Sequence, residues 1–116
     1  KRYLPSEKKG KIDDVIEFIS LNFDQKLTNE ALAQVSGLST VYFRKLFTLH
    51  FGMSPINYIH ILRAEKAKEL LRYGNMSVNE ISELCGFSSG YYFSRVFKAE
   101  TGFSPTHYRD IIGDYM

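Results

Sequence analysis

The chain has 116 residues, 44% of them hydrophobic, which suffices for one domain or for two very small units that share a spine. A single cysteine, Cys85, excludes an internal disulfide, and the sequence contains neither a membrane-spanning apolar run nor a signal-peptide segment, so we expect a cytoplasmic protein with no membrane partner. The formal net charge is +2, of which residues 1–11 contribute +4 and residues 12–116 contribute −2, so a nucleic-acid-binding body would have to concentrate its positive charge on one face.

The first part of the chain predicts a basic linker or arm at 1–11 and then three helices that form a subdomain over 12–53. The first helix shows apolar residues at 3.6-residue spacing, namely Ile12, Val15, Ile16, Ile19 and Phe23. Thr28 is an N-cap for a short second helix that buries Leu32 and Val35, and Gly37 supplies the following turn. The third helix, 39–51, is capped by Ser39 and ends at Gly52.

The second part predicts a connecting helix over 54–74 and a second subdomain over 75–112. Ser54-Pro55 marks the start of the connecting helix, and Gly74 marks its end. Ser77 and Glu80 form a capping-box pattern for a fifth helix, in which Ile81, Leu84 and Cys85 face inward. The sixth helix, 88–101, is capped by Ser88 or Ser89, and Ser104-Pro105 begins a short seventh. We predict an all-α fold of about seven helices with a frayed tail at 113–116.

An internal repeat relates the two parts. The segment 36–58 reads SGLSTVYFRKLFTLHFGMSPINY, and 85–108 reads CGFSSGYYFSRVFKAETGFSPTHY. One residue is inserted in the second copy after Ser88, and from there Tyr42, Phe43 and Phe47 match Tyr92, Phe93 and Phe97. The chain is therefore two copies of one helix-turn-helix unit.

The short helix, glycine turn and longer helix of each copy are typical of a helix-turn-helix, whose second helix enters the major groove of DNA. A helical wheel places Phe43, Leu46 and Phe47 on the buried side of the third helix. The opposite side holds Val41, Arg44, Lys45 and Thr48, and the same construction exposes Tyr91, Ser94, Arg95 and Lys98 on the sixth helix. Neither 39–51 nor 87–99 contains an acidic residue.

These residue types suit DNA recognition. Arg and Lys can bond guanine O6 and N7, while Val and Tyr can lie against a thymine methyl. We expect base contacts from Val41, Arg44, Lys45, Tyr91, Ser94 and Arg95. Hydroxyls and free amides at a helix N-terminus can bind phosphate, and exposed polar or basic groups can do the same. We expect phosphate contacts from Ser39, Thr40, Thr48, Ser88, Ser89 and Lys98.

The connecting helix also predicts a geometry. A helix over 55–73 would be about 28 Å long at about 1.5 Å per residue, close to the roughly 34 Å of one DNA turn. The two copies run in tandem, so the expected site is asymmetric, spans roughly 20 base pairs in adjacent major grooves, and is bent.

The order and spacing of several motifs resemble the DNA-binding domain of the AraC/XylS family of bacterial transcription regulators. The resemblance covers about 10–112, and Arg63, Ala67 and Leu71 of the linking helix also fit it. Its most specific stretches are Gly86-Phe87, Tyr92-Phe93-Ser94-Arg95-Val96-Phe97-Lys98, Gly102-Phe103-Ser104-Pro105 and Tyr108-Arg109.

The resemblance implies seven helices, two helix-turn-helix subdomains, and base contacts by position from Val41, Arg44, Lys45, Gly90, Tyr91 and Arg95. The chain departs from some relatives because Val41 is small and Gly90 has no side chain, so specificity is expected to rest on Arg44 and Lys45 and on Tyr91 and Arg95. Family members commonly carry an effector, dimerisation or receiver domain, so we expect this chain to be a fragment of a larger regulator.

Other interpretations of the same residues remain open at this point. The cationic faces could be ordinary solvated surface, and the domain could dock on RNA polymerase as a protein-interaction module without reading bases. Cys85 fits a small buried hydrophobe better than a redox or methyl-acceptor site. His50, His60 and His107 lie too far apart in sequence for a metal site, and no catalytic constellation is present, so neither a cofactor nor an enzyme activity is expected.

Overall fold

A computed structural model of the chain describes residues 6–115, with side chains described over 11–113. Within that range it forms seven helices and no strand, which confirms the predicted all-α fold. The helices are α1 (Ser6–Asn22), α2 (Asn29–Ser36), α3 (Thr40–Phe51), α4 (Pro55–Tyr73), α5 (Val78–Leu84), α6 (Gly90–Thr101) and α7 (Pro105–Tyr115). None of these described helices has both the length and the apolar character that crossing a bilayer requires.

Side-chain caps set where the short helices begin. The hydroxyls of Thr28, Ser39 and Ser89 accept the amides of Ala31, Tyr42 and Tyr92 at 3.1, 3.2 and 3.1 Å. Ser77 and Glu80 form the reciprocal capping box, with distances of 3.0 and 3.1 Å. The predicted caps are confirmed, and Ser89 rather than Ser88 caps α6. α3 and α6 consequently start one and two residues later than the predicted 39 and 88.

The chain divides into two compact units. The first comprises the described residues up to Phe23 together with Leu27–Ile59, and the second comprises Asp24–Lys26 and the described residues from His60 onward. The boundary therefore falls inside α4, and the short segment after α1 belongs to the second unit. Each unit contains one pair of helices in the helix-turn-helix order, α2–α3 in the first and α5–α6 in the second.

Paired phenylalanines lie at the centre of each core. Phe43 and Phe47 are fully buried in the first unit with ring centroids 5.8 Å apart, and Phe93 and Phe97 are fully buried in the second at 5.7 Å. The second core also contains Ala64, Ala67, Leu71, Ile81, Cys85, Phe87 and Val96. Cys85 is 0% exposed, as expected for a small buried hydrophobe, and burial raises the pKa of its thiol to about 11.

The prediction that Val35 and Leu84 face inward is wrong. Val35 on α2 is 37% exposed, and Leu84 on α5 is 45% exposed. The buried face of each short helix instead includes smaller residues, Ala33 and Ser36 on α2 and Ser82 on α5, and Cys85 is buried at the C-cap of α5. Ser36 and Ser82 enter the interior because their hydroxyls donate to the carbonyls of Ala33 and Ser89 at 2.6 and 3.1 Å.

The predicted chain ends also differ from the structure. α1 begins at Ser6, so 6–11 are helical rather than linker, and residues 1–5 lie outside the described residues. Ser, Glu and Lys are compatible with a helix, so only Gly10 weakens this turn. α7 continues to Tyr115 through Gly113, which costs a helix only about 1 kcal/mol. Of the predicted 113–116 tail, Met116 also lies outside the described residues.

At Gly86, any side chain would collide with the backbone of Asp24. Its φ is +90°, and a Cβ there would lie 2.7 Å from the carbonyl carbon and oxygen of Asp24. Gly102 has a similar φ of +87°, but a Cβ there would have no neighbour within 4 Å. The two glycines thus share the left-handed conformation and differ only in the space around them.

Replacing each glycine by alanine separates these two costs. We expect Gly102→Ala to lower the free energy of unfolding by about 1–2 kcal/mol through left-handed strain. Gly86→Ala should lower it by about 1–3 kcal/mol more, because the methyl group overpacks against the Asp24 backbone. Urea denaturation of both variants measures the difference, and equal losses would contradict the close approach at Gly86.

Candidate nucleic-acid interface

The outer face of α3 carries the four predicted contact residues of the first copy. Phe43, Leu46 and Phe47 hold the opposite face in the core, so the helix cannot rotate about its axis without exposing them. Val41 is 68% exposed, and Arg44, Lys45 and Thr48 are also exposed. Together with Leu49, Gly52 and Ser54 they line an open groove of about 660 Å³. The structure thus brings the four residues together on one surface.

α6 presents the corresponding face in the second copy. Phe93, Val96 and Phe97 are buried, Tyr91 is 73% exposed, and Arg95 and Lys98 are exposed. Ser94 is half-buried. The guanidinium Nη1 of Arg95 donates to the Tyr91 hydroxyl at 3.3 Å, and its Cζ lies 5.8 Å from the centre of the Tyr91 ring. Two of the predicted base-reading residues are therefore already in contact.

Gly90 differs from the other predicted base-contacting positions. It is half-buried, and a Cβ there would lie 2.6 Å from Oδ1 of Asn79 on α5. A side chain at this position would point toward α5, so Gly90 offers DNA only its backbone. Its place at the start of α6 leaves its amide without an intrahelical partner.

The N-termini of α3 and α6 offer hydroxyls and amides suited to phosphate. Ser39 and Ser89 each accept one backbone amide, and each hydroxyl retains its own hydrogen for donation. Thr40 is half-buried at the first position of α3, and Ser88 is exposed just before the α6 cap. The helix dipole favours an anion at the N-terminus of each of these two helices. The positions predicted for phosphate contact are thus compatible with that role.

The cations of the two faces are not neutralised locally. Across the side chains at 11–113, the salt bridges join Lys66 to Asp24 at 3.4 Å and Lys68 to Glu65 at 2.9 Å, and neither includes a cation of α3 or α6. α6 extends to Thr101, so it does contain one acid, Glu100, beyond the acid-free stretch 87–99. The positive charge of Arg44, Lys45, Arg95 and Lys98 remains available to an anionic partner.

A cluster behind α6 was missed in the sequence. His60 Nε2 and the Tyr92 hydroxyl lie 3.0 Å apart, and the His60 ring stacks near Phe87 at 6.4 Å. Burial and the adjacent Arg63 charge lower the pKa of His60, so the neutral imidazole is favoured as the partner of Tyr92. This cluster joins the first turn of α6 to His60 of α4 through Tyr92.

Arg63 is a second structurally important residue that the spacing of apolar residues did not identify. It is 8% exposed, donates from Nη2 to the Gln25 carbonyl at 2.8 Å, and lies over the Phe87 ring at 5.4 Å. Its spacing of four residues from both Ile59 and Ala67 was the available signal, because all three then share the inner face of α4. No group of three or more potential metal ligands occurs among the described residues.

Comparison with known proteins agrees with this geometry. The helix-turn-helix domain family matches residues 32–111. The transcriptional activator RhaS of Salmonella schwarzengrund is 33% identical over 102 residues, which cover 88% of this chain and 36% of that protein. The chain thus spans about a third of the length of the curated relatives it matches.

Solved structures show the same fold. The DNA-binding domain of AdpA, a global transcriptional factor solved in complex with a target DNA, superposes with a TM-score of 0.85 at 25% identity, covering 90% of this chain and 95% of that one. A regulator with an AraC-type DNA-binding domain from Chromobacterium violaceum gives a TM-score of 0.79 at 26% identity, covering 93% and 96%.

The burial of His60 beside Arg63 predicts a pH dependence of stability. Because the pKa of His60 is lower in the folded chain than its ordinary 6.5, the unfolded chain binds this proton more readily. The contribution of His60 to stability is therefore complete above about pH 7.5 and is lost as the pH falls through 6.5 and below. We expect urea denaturation to show a smaller loss of stability between pH 7.5 and 5.5 in His60→Gln than in the wild type. Equal losses would exclude this contribution.

Proposed function

The chain belongs to the AraC family of helix-turn-helix DNA-binding domains, and from that premise we propose that it binds an asymmetric site in double-stranded DNA by inserting α3 and α6 into adjacent major grooves. Sequence-specific DNA binding is the function of this domain type, and the chain is not an enzyme.

One observation carries the proposal. Two helices at equivalent repeat positions each bury a pair of phenylalanines and expose cations on the opposite face. Lys45 and Arg95 occupy the same position in their respective copies, as do Thr48 and Lys98. We would not expect an ordinary solvated surface to repeat this arrangement. Two helices that bind the same polyanion are expected to repeat it.

The residue chemistry divides the contacts into two classes. Arg44, Lys45 and Arg95 read guanine edges, Val41 and Tyr91 contact thymine methyls, and Ser94 and the backbone at Gly90 contribute polar contacts to bases. Ser39, Thr40, Thr48, Ser88, Ser89 and Lys98 bind phosphates and fix the register of each helix in its groove.

The organisation of the site follows from the tandem repeat. Two copies in the same direction along one chain read two different half-sites, so a palindrome is not required. We expect two informative blocks about one DNA turn apart, one for each helix-turn-helix copy. We expect a site of roughly 20 base pairs with some bending.

We further propose that the chain works within a longer cytoplasmic transcription activator. The relatives it matches are about three times its length, which leaves room for an effector, dimerisation or receiver domain. RNA polymerase is the expected protein partner of such an activator, and DNA is the partner that the residues of α3 and α6 address.

A salt titration with two charge-matched variants tests DNA binding. On a duplex selected from a random library, log K for the wild type should fall linearly with log salt concentration. Arg95→Ala should cost about 1–3 kcal/mol on that duplex and much less on random DNA. Arg72→Ala removes the same charge from an exposed position on α4 and should change both affinities slightly and equally.

Two outcomes would overturn the proposal. Equal losses in Arg95→Ala and Arg72→Ala on the selected duplex would show that α6 contributes only general charge. Binding to RNA polymerase without measurable binding to any duplex would identify the domain as a protein-interaction module.

A further inference from the structure

We propose that Tyr91 and Arg95 act as one reading unit, in which Tyr91 contacts a thymine methyl and also positions Arg95 on a guanine within two base pairs of that thymine. This inference rests on the proposed function, because it concerns the sequence that α6 selects. Tyr91 is then both a base-contacting residue and a positioning residue.

The pair is formed before DNA arrives. The Arg95 Nη1 donates to the Tyr91 hydroxyl at 3.3 Å, and the guanidinium lies 5.8 Å from the ring centre. Both side chains are exposed. A long arginine side chain on a surface normally samples many rotamers, and ordering it on DNA costs free energy. Contact with the phenol reduces that cost by holding the guanidinium close to the orientation it needs.

The contact leaves Arg95 able to read guanine. A guanidinium has five N–H donors, and one of them serves Tyr91. The remaining donors still include a pair suited to bidentate bonding with guanine O6 and N7. The Tyr91 hydroxyl accepts from Arg95 and keeps its own hydrogen, so it also can donate to a base or phosphate acceptor.

The spacing predicts which bases are neighbours. Tyr91 and Arg95 are four residues apart, about 6 Å along the axis at about 1.5 Å per residue. Successive bases are about 3.4 Å apart along one strand. With Tyr91 73% exposed, its ring is accessible to a methyl group in the groove. A thymine and a guanine in adjacent or next-but-one base pairs match the pair.

The first copy has no equivalent pair. Val41 and Lys45 occupy the same positions on α3, and a valine has no hydroxyl to orient a cation. Lys is also a flexible point charge without the planar fork of Arg. We therefore expect the half-site of α6 to be more sharply defined than that of α3.

Modified bases test the unit directly. The probe is the duplex that the wild-type chain selects from a random library, with each thymine replaced in turn by deoxyuridine and each guanine by adenine in the half-site of α6. In the wild type, replacement of one particular thymine by uracil should weaken binding roughly threefold, because the thymine methyl group is lost. Tyr91→Phe should keep that uracil penalty but reduce the preference for guanine at the Arg95 position roughly 3- to 10-fold.

Controls separate positioning from other effects. Tyr91→Ala should abolish the uracil penalty as well, and Arg72→Ala, which removes an exposed cation from α4, should alter neither response in this half-site. The exposure of Tyr91 makes a folding defect in Tyr91→Phe unexpected, and thermal unfolding checks this directly. The guanine preference is a ratio of affinities, so a uniform loss of stability would not change it.

A guanine preference that is the same in Tyr91→Phe and the wild type would overturn the positioning role. The absence of any uracil penalty in the wild type would overturn the thymine contact. In both cases the wild type still binds its selected duplex, so these failures differ from failure of the proposed function, in which no duplex is bound specifically.

Discussion

Two pairs of phenylalanines determine how the recognition helices face the solvent. Phe43 and Phe47, and Phe93 and Phe97, are one helical turn apart and fully buried. Burial of each ring stabilises the fold by about 1.5–3 kcal/mol, which makes rotation of either helix about its own axis unfavourable. The opposite face must then point outward, and in both copies that face carries cations. The exposure of these cations thus depends on apolar packing in the buried core.

The same constraint explains how a nearly neutral chain can address a polyanion. The net charge of +2 says little, because most acids of the described body lie on helices other than α3 and α6. Salt bridges at Lys66 and Lys68 involve residues on or near α4, where neutralisation does not weaken the recognition faces. The sequence places few acids on α3 and α6, and the buried phenylalanines hold the cations of these helices toward solvent. Each helix therefore presents a locally positive surface.

Local rules in the sequence predicted the helices, their caps and the solvent-exposed faces of α3 and α6, because these features depend on residues within one or two turns. Ser77 with Glu80 and the phenylalanine spacing are examples. Periodicity failed at Val35 and Leu84 because a buried serine or alanine, which the pattern counts as neutral, replaced them in the core. It also could not find the His60–Tyr92 contact or the Arg63–Gln25 bond, since these join residues 32 and 38 positions apart.

Independent reading of one half-site by α3 and of another by α6 is tested most directly when three proteins each select duplexes from one random library. The wild type should recover two different blocks about one DNA turn apart. The double variant Arg44→Ala with Lys45→Ala should lose only one block, and Arg95→Ala should degrade only the other. Loss of both blocks together in either variant, or a palindromic motif in the wild type, would contradict independent reading by α3 and α6.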